Sequence, residues 1–333
     1  MSMFVLMNLT LFGILAATAV TISRLRALYE ATMLTALFSL VSASLFVLMD
    51  AVDVAFTEAA VGVGISTVLF LGVLALTRSR EDVTPRIRQW PARVVVLLAG
   101  GMLVYASQDL PRFEGATTPV QVHPVTDVYL RESQDDIGVP NTVTSVLASY
   151  RAHDTLGELV VIFTAGVAVL LLLASSPGPG RREEGEGPAE LVLADYRVLR
   201  VISKLLLPFI LLFAFYVLFH GEYGPGGGFQ AGVIFAAGFV LYGLVFGVDG
   251  ARRVLPRPLV WAMIPLGILL YVVLGLAGML LGGEFLDFQG LRPGDPQAGQ
   301  HLGILLVETS VGITVAGVMV AVFFSFASRR AAR

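Results

Sequence analysis

Residues 220–232 read HGEYGPGGGFQAG. On the left is VISKLLLPFILLFAFYVLF (201–219) and on the right VIFAAGFVLYGLVFG (233–247). A proline, three consecutive glycines and a histidine therefore join two long apolar runs. The pattern GxGxxA falls on Gly226, Gly228 and Ala231, which raises a nucleotide-binding turn as the first reading. Such a turn needs a strand before it and a helix after it, inside a βαβ unit. Here both flanks are long enough to cross a bilayer core about 30 Å thick. The stretch is a connection between membrane helices, and the nucleotide reading lacks its structural context.

Working outward, nine apolar runs have membrane-spanning length: about 3–23, 29–49, 57–77, 91–107, 155–174, 197–219, 229–248, 258–281 and 302–326. Over all 333 residues, 56% are hydrophobic and 14% charged, against about 25% charged in soluble domains. The fold class expected is an all-α polytopic membrane protein of about nine spans. There is no cysteine. That excludes cysteine-ligated iron–sulfur clusters, thiol catalysis, disulfides and Cys-type zinc sites in this chain.

The basic residues alternate along the connections. Those after spans 1, 3, 5 and 7, together with the C-terminal tail, hold 18 of the 22 Lys and Arg; the remaining connections hold 4. The connections between spans 2 and 3 and between spans 6 and 7 hold none. The positive-inside rule then places the N-terminus outside and the C-terminus in the cytoplasm. The first run has no basic residue before it and Arg24 and Arg26 after it, the reverse of a secretory signal. It reads as a retained first span.

ASSPGPGRREEGEGPAE (174–190) is rich in Pro, Gly and charge and has no apolar periodicity. It reads as a cytoplasmic linker, 175–190, dividing five spans in 1–174 from four in 191–333. No convincing repeat relates the two parts, so they look like a fusion. Within the first, 107–141 is the longest external segment, with room for a short strand or two. After it, Val143, Val146, Leu147 and Tyr150 fall at i, i+3, i+4 and i+7. That spacing predicts an amphipathic helix lying on the membrane or packed on a partner.

A charge at the centre of a membrane helix costs roughly 2.5–3.5 kcal/mol on insertion scales, so each one asks for a reason. Asp50 and Asp53 precede span 3 and suit the cap of its helix. Glu58 is deeper, followed by Ala59, Ala60, Gly62, Gly64 and Ser66, small residues that let helices approach closely. His153 and Asp154 sit at the start of span 5, with Glu158 about one turn further in. His301 opens span 9, and Glu308 lies seven residues on, about 10 Å deeper at 1.5 Å per residue. Glu58, Glu158 and Glu308 are candidates for a proton or cation path; a structural carboxylate paired with a neighbour is the alternative for each. His153 reads equally as a solvated interfacial histidine. Lys204, at the inner end of span 6, is placed to snorkel.

These residues carry a family resemblance. DAVDVAFTEAAVGVGISTVLFLGVLAL (50–76) and HDTLGELVVIFTAGVA (153–168) resemble the C-terminal part of the large A-type polypeptide of Mrp-type multisubunit Na+/H+ antiporters. In membrane-bound hydrogenases that region forms two small separate polypeptides, called D and E. HGEYGPGGGFQAGVIFAAGFVLYGLVFG (220–247) and HLGILLVETSVGITVAG (301–317) resemble the B-type polypeptide of the same antiporters. The resemblance implies a fused subunit, in a bacterial or archaeal cytoplasmic membrane, of a complex related to the membrane arm of respiratory complex I. Its partners would be large proton-channel subunits and small membrane subunits, with Na+ and H+ as the transported ions. No cofactor and no nucleic acid are expected, and the only metal would be a transient Na+. Glu58 and Glu158 match acidic positions of the A-tail motifs. His220, Pro225, Gly226, Gly227, Gly228 and Glu308 match the B motifs. Asp53, His153 and Asp154 complete the candidate pathway.

The opening stretch has a physical reading beside this one. Pro225 ends regular helix, and the glycines open backbone angles closed to other residues. Irregular backbone at membrane depth is tolerated only in protein or beside water. His220 and Gln230 therefore either line a polar cavity or flank a tight turn packed on another subunit. For the whole chain, a component of a redox-driven ion pump and a purely structural component stand as alternatives to the antiporter.

Overall fold

The computed structural model describes residues 3–74, 86–111, 118–175 and 197–331. All but the first residue of the expected linker lies outside them. Among the described residues, nine helices are long and apolar enough to cross a membrane. They are α1 (Met3–Ile22), α2 (Leu28–Leu48), α3 (Val52–Leu74), α4 (Arg86–Ala106), α5 (Ala152–Ser175), α6 (Arg197–His220), α7 (Gly228–Phe246), α8 (Arg257–Leu280) and α9 (Pro296–Ala331). The expected nine spans are all present. At 1.5 Å per residue the 36 residues of α9 extend about 54 Å, so its first turns stand beyond the hydrocarbon core.

The core centres on α9, which packs on α7 and α8 and also meets α5. Val307, Val311, Val315, Val318 and Phe323 of α9 are buried against Val233, Ala236 and Val240 of α7 and Val260, Ile264 and Tyr271 of α8. In lipid there is little hydrophobic force between helices, so close backbone approach and polar contacts decide which pairs form. A Cβ on Gly267 of α8 would collide with Thr314 and the Ser310 carbonyl of α9. Thr314 Oγ1 donates to the Ile264 carbonyl across the same seam, 3.2 Å. Between α7 and α9, a Cβ on Gly232 would stand 2.6 Å from the Gly312 carbonyl oxygen. At the head of α7 the approach is closer still: a Cβ on Gly228 would overlap the Glu308 carbonyl. By contrast, no residue of α4 from Trp90 to Ala106 is buried against the chain.

The two parts of the chain meet through a polar seam. Asn141 Nδ2 donates to the carbonyls of Gly221 and Gly224, both at 3.0 Å, and its amide donates to the Glu222 carbonyl, 2.9 Å. Thr144 Oγ1 donates to the Gly221 carbonyl, 2.6 Å, and Ser149 Oγ to Gln300 Oε1, 2.9 Å. Gln297 Nε2 donates to the Asp135 carbonyl, 2.6 Å.

The segment Thr142–Tyr150 is helical as expected, its second half a π turn; Val143 and Leu147 of its apolar stripe are exposed, while Thr144, Ser145 and Ala148 are buried against the chain. Two expectations are corrected here. The described residues of 107–141 contain short helical turns and no strand. Asp50 does not cap α3: the N-cap is Ala51, without a side-chain hydrogen bond, and Asp50 occupies a left-handed turn at φ 61°, a conformation Asp tolerates.

Both kinds of contact can be tested by substitution. Asn141→Ala removes the side-chain donor of the Gly224 carbonyl and one of the two donors of the Gly221 carbonyl and should lower the stability of the purified protein by about 1–3 kcal/mol, read as a lower melting temperature in detergent; an unchanged melt would show the Asn141 contacts to be dispensable. Gly228→Ala forces α7 away from α9 and should cost about 1–3 kcal/mol or more, whereas Gly72→Ala, where a Cβ meets nothing within 4 Å, should be neutral in the same melt.

Candidate functional site

The connection 220–228 closes on itself before α7 begins. The amides of Tyr223 and Gly224 donate to the His220 carbonyl at 2.9 and 3.0 Å, and the Gly227 amide returns to the Val217 carbonyl at 3.1 Å. Gly227 then adopts φ +119° as the residue preceding α7, backbone that only glycine enters readily. This bend aims the first amides of α7 at α9. The Gly228 N–H donates to Glu308 Oε2, and a Cβ on Gly227 would lie 2.8 Å from that same oxygen. The triple glycine therefore brings a helix N-terminus onto a carboxylate, where unsatisfied amides and the helix dipole favour negative charge. Glu308 keeps some accessible surface.

Three other carboxylates act electrostatically on Glu308: Glu222, Asp53 and Glu158. They arrive from the 220–228 connection, from α3 and from α5. Every charged group in that set is acidic. Tyr271 of α8 is fully buried within reach of both Glu308 and Glu158, and its hydroxyl donates to the Ala152 carbonyl at the start of α5, 2.7 Å. Gln230, on the first turn of α7, donates from Nε2 to Thr57 Oγ1 of α3 at 2.6 Å, tying the two helices beside the site.

Glu222 bears the outermost contact. His301 Nδ1 lies 3.0 Å from Glu222 Oε2, and its Nε2 lies 3.1 Å from the Gly138 carbonyl. One histidine thus links both parts of the chain to a carboxylate that acts on Glu308. Among the described residues, no group of three or more His, Asp or Glu converges to hold a metal ion.

The remaining candidates are dispersed. Glu58 does not appear among the charges acting on Glu308. It closes the regular first part of α3, and residues Ala59–Ile65 after it form a π turn, a local widening often found at functional positions. A Cβ on Gly62 in that turn would stand 2.8 Å from Glu58 Oε1 and 2.7 Å from Ser39 Cβ of α2, so the Glu58 carboxylate lies against α2. Glu158 projects outward from α5. Asp154 pairs with Arg151 at 2.5 Å on the exposed surface, and His153 packs on Phe285, 5.6 Å between ring centroids. His220 stacks between Tyr216 and Tyr223, at 5.0 and 6.5 Å, in an aromatic column beside the turn. Sequence reasoning does not reach Glu222, Tyr271, Thr57 or Asn141. Glu222 stands two residues after His220 in a polar connection and looks like any solvated acid; Tyr271 sits in an uninterrupted apolar run.

Comparison with known proteins matches two family models to two stretches of the chain. Residues 198–321 match the domain related to the MnhB subunit of Na+/H+ antiporters, and residues 13–79 match the MbhD family, the D component of MBH. The chain is 36% identical to the putative antiporter subunit mnhB2 of Staphylococcus aureus (strain Newman) over 135 residues, 40% of this chain and 95% of that protein. It is 26% identical to the probable A/B component of a K(+)/H(+) antiporter of Rhizobium meliloti (strain 1021) over 86% of this chain and 31% of that one. A chain of the Mrp complex from Dietzia sp. DQ12-45-1b superposes over 96% of this chain and 34% of its own length, with a TM-score of 0.75 and 28% identity. A chain of the archaeal membrane-bound sulfane sulfur reductase superposes over 72% of this chain and 98% of its own, with a TM-score of 0.52 and 28% identity. This chain thus spans about a third of the Rhizobium relative and of the Dietzia chain, and nearly all of the Staphylococcus mnhB2 protein. With its glycine turn, α7 and α9 in the matched region, the chain belongs to the MnhB-related family of antiporter subunits.

Proposed function

We propose that this chain is a membrane subunit of a multisubunit Na+/H+ antiporter, a transporter component and not an enzyme. In this reading 1–174 is an A-tail-like module and 191–333 a B-like module, joined by 175–190, with the N-terminus outside and the C-terminus in the cytoplasm. The observation that carries it is the acidic set around Glu308. Carboxylates from three other segments, Glu222, Asp53 and Glu158, lie within electrostatic reach of Glu308. Such a set is neutralised only by protons or by a cation, which is the chemistry an antiporter exchanges. Glu308 exchanges the ion beside the α7 N-terminus. Glu222 with His301 forms its outer approach, and Asp53 and Glu158 form its lateral neighbours. Glu58, against α2, serves as a separate station. Glu158, facing outward, is covered by a neighbouring subunit.

The redox-driven alternative draws on the likeness to the sulfane sulfur reductase chain, which extends over less of this chain, and at a lower TM-score, than the likeness to the Mrp complex. The antiporter reading is preferred on that difference.

Glutamine at 308 keeps an oxygen for the Gly228 amide and removes the titratable group. Glu308→Gln should therefore lower Na+/H+ exchange in membrane vesicles by about tenfold or more, the scale of a positioned proton-transfer group, with the amount of assembled complex unchanged. Unchanged exchange in Glu58→Gln, Glu158→Gln and Glu308→Gln alike would overturn the direct role, and parallel loss of assembly and activity would make the chain structural. Exchange supported by K+ and not by Na+ would correct the ion.

A further inference from the structure

The end of the bundle opposite Glu308 is basic. Between the first turns of α8 and the last part of α9 lies a cavity of about 220 Å³, lined by Arg257, Val260, Trp261, Ala321, Phe324 and Ser325. That is space for roughly seven waters at bulk volume. Behind Phe324 stands Arg252, from the short helix Val248–Val254. Its guanidinium carbon is 5.6 Å from the Phe324 ring centre, and its Nη2 donates to the Phe324 carbonyl at 3.5 Å. Within 248–257 there are three arginines and a single acid, Asp249. Asp249 reaches Arg252 only at 3.4 Å, and its side chain is 90% exposed. Burial, and next the like charge of Arg257, lower the pKa of Arg252. The cavity wall thus carries the Arg257 guanidinium, with Arg252 on Phe324, and an anion entering it meets positive charge.

Four of the six lining residues are apolar or aromatic. From the mouth, Trp261, Pro265 and Leu269, at i, i+4 and i+8, continue along the outward face of α8 as exposed surface. A hydrated inorganic anion gains from the arginines but nothing from this strip. An anion attached to hydrocarbon gains from both, with tryptophan at the level where headgroups lie.

We infer that the cavity between α8 and α9 binds the phosphate headgroup of an anionic glycerophospholipid, its phosphate facing Arg257 and its acyl chain lying along Trp261 and Leu269. The bound lipid offsets the like charge of the arginine pair and fills the gap between the ends of the two helices that form the core.

Native mass spectrometry tests this on the full chain, purified in mild detergent with whatever subunits accompany it, after incubation with phosphatidylglycerol or phosphatidylcholine. The expected result is one retained phosphatidylglycerol per chain and no retained phosphatidylcholine. Arg257→Glu should reduce that occupancy by about thirtyfold, given about 1 kcal/mol per basic residue at a membrane surface and a full reversal of sign. Arg253→Glu, the same charge change on an exposed arginine that does not line the cavity, should leave it intact. Equal retention of the two lipids, or equal loss in both variants, would overturn the site in favour of diffuse surface charge. Displacement of phosphatidylglycerol from the unmodified protein by glycerol 3-phosphate or inorganic phosphate would overturn the lipid in favour of a soluble anion. That competition needs no variant, so a folding defect in Arg257→Glu does not remove the test.

Discussion

The contact between the Gly228 amide and the Glu308 carboxylate fixes the rest of this structure. It sets the distance between α7 and α9, and α9 is the helix on which α5, α7 and α8 converge. The contact exists because three glycines let the chain bend after Pro225 and bring bare backbone against the carboxylate. Any side chain at 228 would occupy the space of the Glu308 carbonyl. The same bend places Gln230 against Thr57 and so brings α3, with Asp53, beside the site. A helix N-terminus offers unpaired amides and partial positive charge at low dielectric, and there this is the local source of stabilisation for a carboxylate. The charged neighbours of Glu308 are acids. Glu308 is held here by a backbone amide at a helix N-terminus, an arrangement that fixes its position; in the proposed reading it leaves a proton or cation free to come and go.

Around this contact the two parts of the chain are joined by hydrogen bonds as well as by apolar burial, with Leu159 and Leu170 of α5 in the same core as α7, α8 and α9. Asn141, Thr144, Ser149 and Gln297 reach across to carbonyls or to a side-chain amide of the other part. A seam of that kind can be satisfied by water when the parts separate, so it suits two modules that also occur as different polypeptides. The mnhB2 relative from Staphylococcus aureus corresponds to only 40% of this chain. The glycine turn explains the choice of partners: carbonyls freed at Gly221 and Gly224 by the irregular backbone are the acceptors that Asn141 and Thr144 fill.

Much of the fold was legible because lipid imposes a simple requirement. An apolar run of sufficient length must be a helix, and a run of glycines between two such helices must be a turn. The depth of Glu308 could likewise be read from its distance to His301. Its partner could not: Gly228 lies 80 residues away, and nothing local in VETSV signals a helix end approaching it. The segment after Asn141 is helical, with Val143 and Leu147 of its apolar stripe exposed; spacing did not show that the opposite face, Thr144, Ser145 and Ala148, is buried against the chain, where Thr144 bonds the Gly221 carbonyl 77 residues away. Glu222 escaped notice for a related reason. Its significance comes from His301 and Glu308, which reach it through the tertiary structure alone.

The outward carboxylate of Glu158 and the bare helix α4 look alike as exposed features, but the membrane treats them differently. Lipid chains cover the valines and leucines of α4 at no cost. They cannot cover an ionised Glu158 one turn inside α5, where a charge costs kilocalories unless it finds water, a proton or a partner. Asp154, one turn earlier, already has Arg151 at the surface, so that arginine is committed. Glu158 also acts on both Glu308 and Tyr271, which joins the outward face of α5 to the interior site. A neighbouring subunit seated there would complete the acidic set from outside the chain and would feel the charge state of Glu308 through a single intervening carboxylate. The polar outward face of α5, more than the unburied apolar length of α4, is what makes this chain a component and not a self-sufficient carrier.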